Sequence, residues 1–144
     1  TPPLKPLVGL GYIEEYKALE EGRYAMVVRG LVRAKIEREV ESPIYRRAHL
    51  TPIENVLETP ERMDQLRGQI VALLERSKLL RGDTREEVLS RAREEPVERL
   101  VDELSGVLIN DPETLEILLA ETRVAARAER IIDHLETAIT VGLG

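Results

Sequence analysis

The chain has 144 residues, a formal net charge of −6, and no cysteine, phenylalanine or tryptophan. Without cysteine it forms neither disulfides nor thiolate metal sites, which argues against a small secreted, disulfide-stapled module. The acidic balance argues against a general nucleic-acid binder. No apolar run approaches the ~20 residues of a membrane-spanning helix, and residues 1–6 do not resemble a signal peptide. We therefore expect a cytoplasmic protein with one core of Leu, Ile, Val and Ala.

The charge divides the chain near residue 56. Basic and acidic residues nearly balance over residues 1–56, whereas acidic residues clearly outnumber basic ones over residues 57–144. The side-chain pattern changes at the same place, from the alternation typical of strands to the period of helices. We therefore predict a β subdomain over residues 1–56 and a helical bundle subdomain over residues 57–144.

The first part alternates in the manner of an antiparallel sheet that is half buried. Glu20-Glu21-Gly22 predicts a hairpin turn, in which Gly22 supplies a positive φ. Gly30 interrupts the next β run and predicts a bulge or tight bend. A further strand is expected to begin at Ile44. The pattern predicts a small bent antiparallel β-sheet or partial barrel, with one face shared by Tyr24, Met26 and Val28 and another by Val32, Ala34 and Ile36.

The second part predicts a series of amphipathic helices. Thr59-Pro60 is an N-cap followed by proline, and Asn110-Asp111-Pro112 repeats this device before the last helical region. We expect the first helix to end at Gly82, a second to span roughly Arg85 to Arg93 after a Thr84–Glu87 capping box, and a third to start at Pro96. Short links between such helices favour an antiparallel bundle. The predicted fold class is therefore α+β.

A search for catalytic chemistry finds none. His49 falls in a predicted strand and His134 in the last helix, and neither has a partner motif. No lysine follows a glycine as a P-loop requires. Ser77 and Lys78 are helix neighbours that point about 100° apart, so they form no catalytic dyad and are expected at an exposed helix end. No carboxylates have metal-site spacing. We expect no catalytic residue, no cofactor and no metal, and hence no enzyme by itself.

Several basic residues lie on the predicted strands, and Arg33 and Lys35 are expected to share a face. Such a face is either simply solvated or holds a peptide or acidic partner through charge-assisted contacts. An exposed strand edge also accepts an extended polypeptide by strand addition. The candidate polypeptide-binding surface consists of Arg29, Arg33, Lys35, Tyr45 and Arg47.

The order of these motifs resembles the N-terminal substrate-binding domain of Lon proteases. The resemblance rests on Gly9, Gly11, Gly22-Arg23, Arg29-Gly30, Arg33 and Tyr45-Arg46-Arg47-Ala48, followed by helices from Pro60 to Ile139. It implies a PUA-like β part, a helical bundle, and non-catalytic recognition of unfolded or tagged polypeptide substrates. The family's ATPase and Ser/Lys protease parts do not occur in this sequence, so the resemblance implies those domains of a parent chain as partners.

The sequence also departs from the family pattern. The family's opening strand, Pro-Gly turn and segment rich in His, Glu and Arg do not precede Leu7, which would leave a strand edge unpaired. We expect a fragment of a Lon protease or a stand-alone Lon-type domain protein. One alternative is an RNA-binding PUA-like module, although the acidity and the lack of Phe and Trp for base stacking count against it. Another is a structural assembly domain that self-associates through its helical half.

Overall fold

The computed structural model describes residues 2–142, which fold as a three-stranded antiparallel sheet followed by five helices. The predicted α+β class is therefore confirmed. The chain divides into two compact units, a β unit that ends at Glu54 and a helical unit that begins at Asn55. The strands are β1 (Leu7–Ala18), β2 (Tyr24–Val40) and β3 (Arg47–Ile53), and the helices are α1 (Pro60–Arg76), α2 (Gly82–Glu94), α3 (Val97–Leu108), α4 (Pro112–Ala120) and α5 (Val124–Thr140).

The strands lie in the order β1-β2-β3, and both neighbouring pairs are antiparallel. A single turn of 3-10 helix, Glu20–Gly22, joins β1 to β2. Gly22 has a φ of 71°, as predicted, and Glu21 adopts a positive φ of 60° as well. Two consecutive left-handed residues reverse the chain sharply, and the second is the glycine that tolerates this conformation at no steric cost.

Bulges interrupt both strand pairings. Along β1 and β2 the register shifts at Leu31 and again at Glu14, and along β2 and β3 it shifts at Glu37. The bulge predicted at Gly30 is thus confirmed at the adjacent Leu31, although β2 continues through it as one long strand. Each extra residue changes which face the following side chains occupy, so the bulges decide where the sheet is apolar.

The third strand begins three residues later than predicted. Residues 41–46 form a loop, in which Pro43 has no N–H to contribute to a sheet. The Arg46 guanidinium donates to Glu39 Oε1 at 2.8 Å and to the Pro2 carbonyl at 2.7 Å. The hydrogen bond from Arg46 also lowers the pKa of the Glu39 carboxyl. These contacts hold the loop, and Tyr45 lies in it rather than in a strand.

The two predicted N-caps are confirmed. The Thr59 hydroxyl accepts from the Arg62 backbone N–H at 3.3 Å, and a proline occupies the first position of α1. The Asp111 carboxylate accepts from the Thr114 backbone N–H at 2.9 Å, with a proline again at the first position of α4. In each helix the cap satisfies a backbone donor that the first turn leaves without a helical partner.

Three other predictions about the helices were wrong. Helix α1 ends at Arg76, and Gly82, with a φ of 58°, opens α2 instead of ending α1. Thr84 therefore lies inside α2 and forms no capping box. Ser77 is buried, not exposed, because it turns inward after α1 and its hydroxyl donates to the Leu74 carbonyl at 3.4 Å. The predicted last helical region consists of two helices, α4 and α5, separated at residues 121–123.

The helical unit holds almost all of the buried core. Its fully buried side chains include Leu66, Ile70, Leu100, Leu104, Ile131 and Leu135. In the described part of the β unit, Ala34 alone is a fully buried hydrophobic residue. The expectation that the sheet is half buried along its length is therefore wrong for the hairpin, whose turn-proximal half is exposed on both faces. No helix within residues 2–142 combines the length and the hydropathy needed to cross a bilayer.

Candidate functional site

The half of the β1–β2 hairpin nearest its turn carries an exposed apolar face. Three residue pairs lie directly opposite each other across the two strands, and opposite residues share a face of the sheet. The exposed fraction of the large side chains runs from 50% at Ile13 to 75% at Tyr16. We call this surface the apolar ribbon face; its residues are Ile13 and Val28, Tyr16 and Met26, and Ala18 and Tyr24.

Two side-chain contacts agree with this assignment. The rings of Tyr16 and Tyr24 have centroids 6.4 Å apart and are tilted by 57°, a geometry that aromatic pairs favour. A Cβ added to Gly11 would lie 2.6 Å from Cγ1 of Val28, so the Val28 side chain leans directly on the glycine backbone. Each contact joins two cross-strand residue pairs that are neighbours on the same face.

The opposite face of the same ribbon is mixed and charged. Tyr12 faces Arg29, Glu15 faces Val27, and Lys17 faces Ala25. The Arg29 Nε lies 3.0 Å from Glu14 Oε1 at the bulge. The ribbon is therefore amphipathic, although neither of its faces is buried within the β unit.

Beyond the bulge at Leu31 the apolar residues change sides. Leu10 pairs with Val32 and Val8 with the buried Ala34, and this face is opposite the apolar ribbon face. Lys35 and the partly buried Arg33 lie on the same side as the apolar ribbon face, opposite Leu7 and Gly9 respectively. The extra residue at the bulge causes the exchange, because it shifts the alternation by one.

The structure places the predicted site residues in three locations. Arg33 and Lys35 share a face, as predicted. Ile53 of β3 lies opposite Arg33 and therefore on the same face. Arg47 is an even number of residues away from Ile53 along β3, so it lies on this face as well. Arg29 lies on the opposite face. Tyr45 lies in the loop of residues 41–46 with 66% of its surface exposed. Three of the five therefore share a face and two do not.

Sequence reasoning missed the β1 half of the apolar ribbon face. The alternation of Tyr24, Met26 and Val28 predicts a half-buried face, whereas these side chains are exposed. On β1 the bulge at Glu14 breaks the alternation between Ile13 and Tyr16, so the sequence period hides that these two residues share a face. The available signal was the clustering of three tyrosines, Tyr12, Tyr16 and Tyr24, around one predicted turn.

Other polar features lie outside the apolar ribbon face. Within residues 2–142, no three His, Cys, Asp or Glu side chains converge as metal ligands would. The Arg38 guanidinium donates to His49 Nε2 at 3.0 Å across β2 and β3. A groove of about 570 Å³ lies along α1 and α2, and an ion pair of 2.7 Å between Arg93 and Glu75 spans it.

The described residues form an α+β fold with an exposed apolar strand face, and comparison with known proteins gives the family of the chain. The model of the ATP-dependent protease La (LON) substrate-binding domain matches residues 2–137. The chain belongs to this family, which confirms the resemblance seen in the sequence.

A solved structure shows the same fold. The N-terminal domain of the Mycobacterium avium complex Lon protease superimposes with a TM-score of 0.71 at 20% sequence identity. The match covers 94% of this chain and 73% of that one. A search of curated proteins finds no match. At this level of identity the structural likeness establishes the fold, and the binding surface must be argued from the chain's own residues.

Proposed function

We propose that the chain is a non-catalytic polypeptide-recognition domain that acts within an ATP-dependent Lon-type protease or as a stand-alone relative. It works in the cytoplasm, and its sheet forms part of a PUA-like barrel. The ATPase and protease domains of a parent chain supply the chemistry. The observation that carries the proposal is the apolar ribbon face, which exposes large uncharged side chains at the end of a hairpin.

The chemistry of this face suits unfolded or tagged polypeptides. Apolar area removed from water contributes about 25 cal/mol per Å² to the free energy of binding. The face offers such area without any charged group that would need a specific partner. Contacts of this kind are weak individually, which lets a substrate leave again. Several of them acting together, in one chain or in neighbouring copies, raise the overall avidity.

We retain residues 1–56 and 57–144 as the functional division of the chain. The proposal therefore assigns recognition to the first part and gives the helical part a supporting role.

Two adjacent valines provide a matched test. Val27 and Val28 are each 52% exposed, but only Val28 belongs to the apolar ribbon face. Binding of a fluorescently labelled, reduced and carboxymethylated lactalbumin, which stays unfolded, is measured by anisotropy. We expect Val28→Lys to weaken binding by about tenfold because it places a charge among apolar contacts, whereas Val27→Lys leaves binding within about twofold.

Intrinsic tyrosine fluorescence checks that both variants fold, since all four tyrosines lie in the β unit and the chain has no tryptophan. Equal losses in the two folded variants would refute the assignment to this face. A wild-type chain that binds no unfolded protein would refute the function itself.

A further inference from the structure

The apolar ribbon face continues into a basic surface on the same side of the sheet. The strand pairs place Arg33, Lys35 and Arg38 of β2 on that side, together with Arg47 of β3. We call this group the basic end. A face with apolar side chains at one end and cations at the other can select among polypeptides. Such selection rests on the proposed function and goes beyond it.

Glycines separate the two ends. Gly11 and Gly30 lie opposite each other, and Gly9 lies opposite Arg33. A Cβ built on Gly9 or Gly30 would meet no atom within 4 Å. At Gly9 and Gly30 the face is therefore open backbone, where another extended chain can approach closely.

Within the three strands, the register places no acidic residue on the face of the basic end. The strand pairs place Glu15 and Glu39 on the other side, and Glu14 and Glu37 occupy bulges. The bulge residue Glu37 approaches the Lys35 ammonium only at 4.0 Å. The Lys35 side chain remains 56% exposed. Charge complementarity therefore favours carboxylates at this end of a bound segment.

The dimensions favour an extended segment over a folded partner. From Tyr24 to Arg38 the β2 strand spans about 45 Å, and two strands are about 10 Å wide. The resulting strip of about 450 Å² falls well short of the ~800 Å² per partner of a stable interface between folded proteins. An extended segment of about thirteen residues fits it instead.

From these observations we infer that the face selects extended segments in which an apolar stretch is followed or preceded by acidic residues. The apolar stretch lies on Ile13, Tyr16, Met26 and their neighbours, and the acidic residues lie at the basic end. The glycine centre accommodates the intervening backbone.

Three labelled peptides test the inference with the whole chain. Each has the same alternating valine–threonine stretch, and the peptides differ in a short tail of glutamates, glutamines or lysines. We expect the glutamate tail to bind about fivefold or more tightly than the glutamine tail, and the lysine tail to bind most weakly. Raising the salt from about 0.05 M to about 0.5 M should reduce these differences, since the charges are exposed.

Charge removal on the two faces provides the matched control. Arg29 lies on the opposite face, and its side chain is 62% exposed, close to the 56% of Lys35. The double variant Lys35→Gln with Arg47→Gln should lose the preference for the glutamate tail and keep its affinity for the glutamine tail. Arg29→Gln should retain the preference.

The outcomes separate the inference from the function on which it rests. If all three peptides bind equally well, the acidic selection is refuted while polypeptide recognition stands. If none binds, both are refuted. A short single-stranded RNA that displaces the glutamate-tailed peptide at a lower concentration than the unlabelled peptide would refute the inference in favour of a nucleic-acid partner. Concentration-dependent dimers that peptide does not dissociate would refute it in favour of a second copy on this face.

Discussion

At Gly11 the packing of the hairpin leaves no room for a side chain. A Cβ at this position would lie 2.6 Å from Val28 Cγ1 and 3.1 Å from the Arg29 carbonyl oxygen. The first neighbour is a β-branched side chain with restricted rotation, and the second is backbone. Neither moves without cost, so the glycine is required for packing on the apolar ribbon face.

We predict that Gly11→Ala destabilises the β unit by about 1–3 kcal/mol, as overpacking does. Gly9→Ala is the control, because Gly9 lies in the same strand and has open space at its Cβ. It should be neutral or slightly stabilising, since alanine has fewer unfolded conformations to lose than glycine. Urea unfolding followed by tyrosine fluorescence reports on this unit alone. Equal stability of the two variants would contradict the contact.

Single residues were predictable from the sequence where local chemistry determines the structure. The positive φ of Gly22 and the caps at Thr59 and Asp111 depend on residues within one turn of the chain. Ser77 was not predictable in this way, because its burial depends on the direction that the chain takes after α1. The same is true of the packing between Gly11 and Val28, which requires the pairing of two strands.

At the scale of the elements, Arg127 of α5 connects several parts of the helical unit. Its side chain is fully buried. The guanidinium donates to the Glu121 carbonyl at 2.7 Å and to Asn55 Oδ1 at 3.2 Å, and its Nε lies 3.4 Å from Asp102 Oδ1 of α3. One side chain thus ties α5 to α3, to the α4–α5 connection and to the segment that precedes α1.

We predict that Arg127→Met lowers the stability of the helical unit by about 1–3 kcal/mol, because it removes the hydrogen bonds by which the guanidinium ties α5 to its neighbours. Arg130→Met is the control, since Arg130 lies on the same helix and is exposed. Urea unfolding followed by far-UV circular dichroism measures both variants. A loss no larger in Arg127→Met than in Arg130→Met would show that the buried guanidinium contributes nothing to stability.

The elements were predictable to the extent that periodicity and caps define them. The strands, the α1 and α4 starts and the order of the helices follow from those signals. The bulges at Glu14 and Leu31 do not, because a bulge exists only relative to a partner strand. In the sequence, Arg127 falls at helical spacing between Val124 and Ile131, on the face of α5 that is otherwise apolar. This spacing was the available signal that a charged residue would be buried there.

At the scale of the whole molecule, the α+β class and the family were predictable from the change of period and the order of the motifs. The location of the binding face was not. Composition showed that the β part contains tyrosines and basic residues, but three register shifts decide which of them share a face. The apolar ribbon face and the basic end consequently emerge only from the paired strands.

We propose that polypeptide binds along this one face of the hairpin. Hydrogen–deuterium exchange of the chain, with and without saturating unfolded lactalbumin, tests it most directly. We expect slower exchange of backbone amides between residues 11 and 30, with exchange in the helices unchanged. Protection confined to the helical unit, or equal exchange throughout the chain in the presence of bound protein, would contradict it.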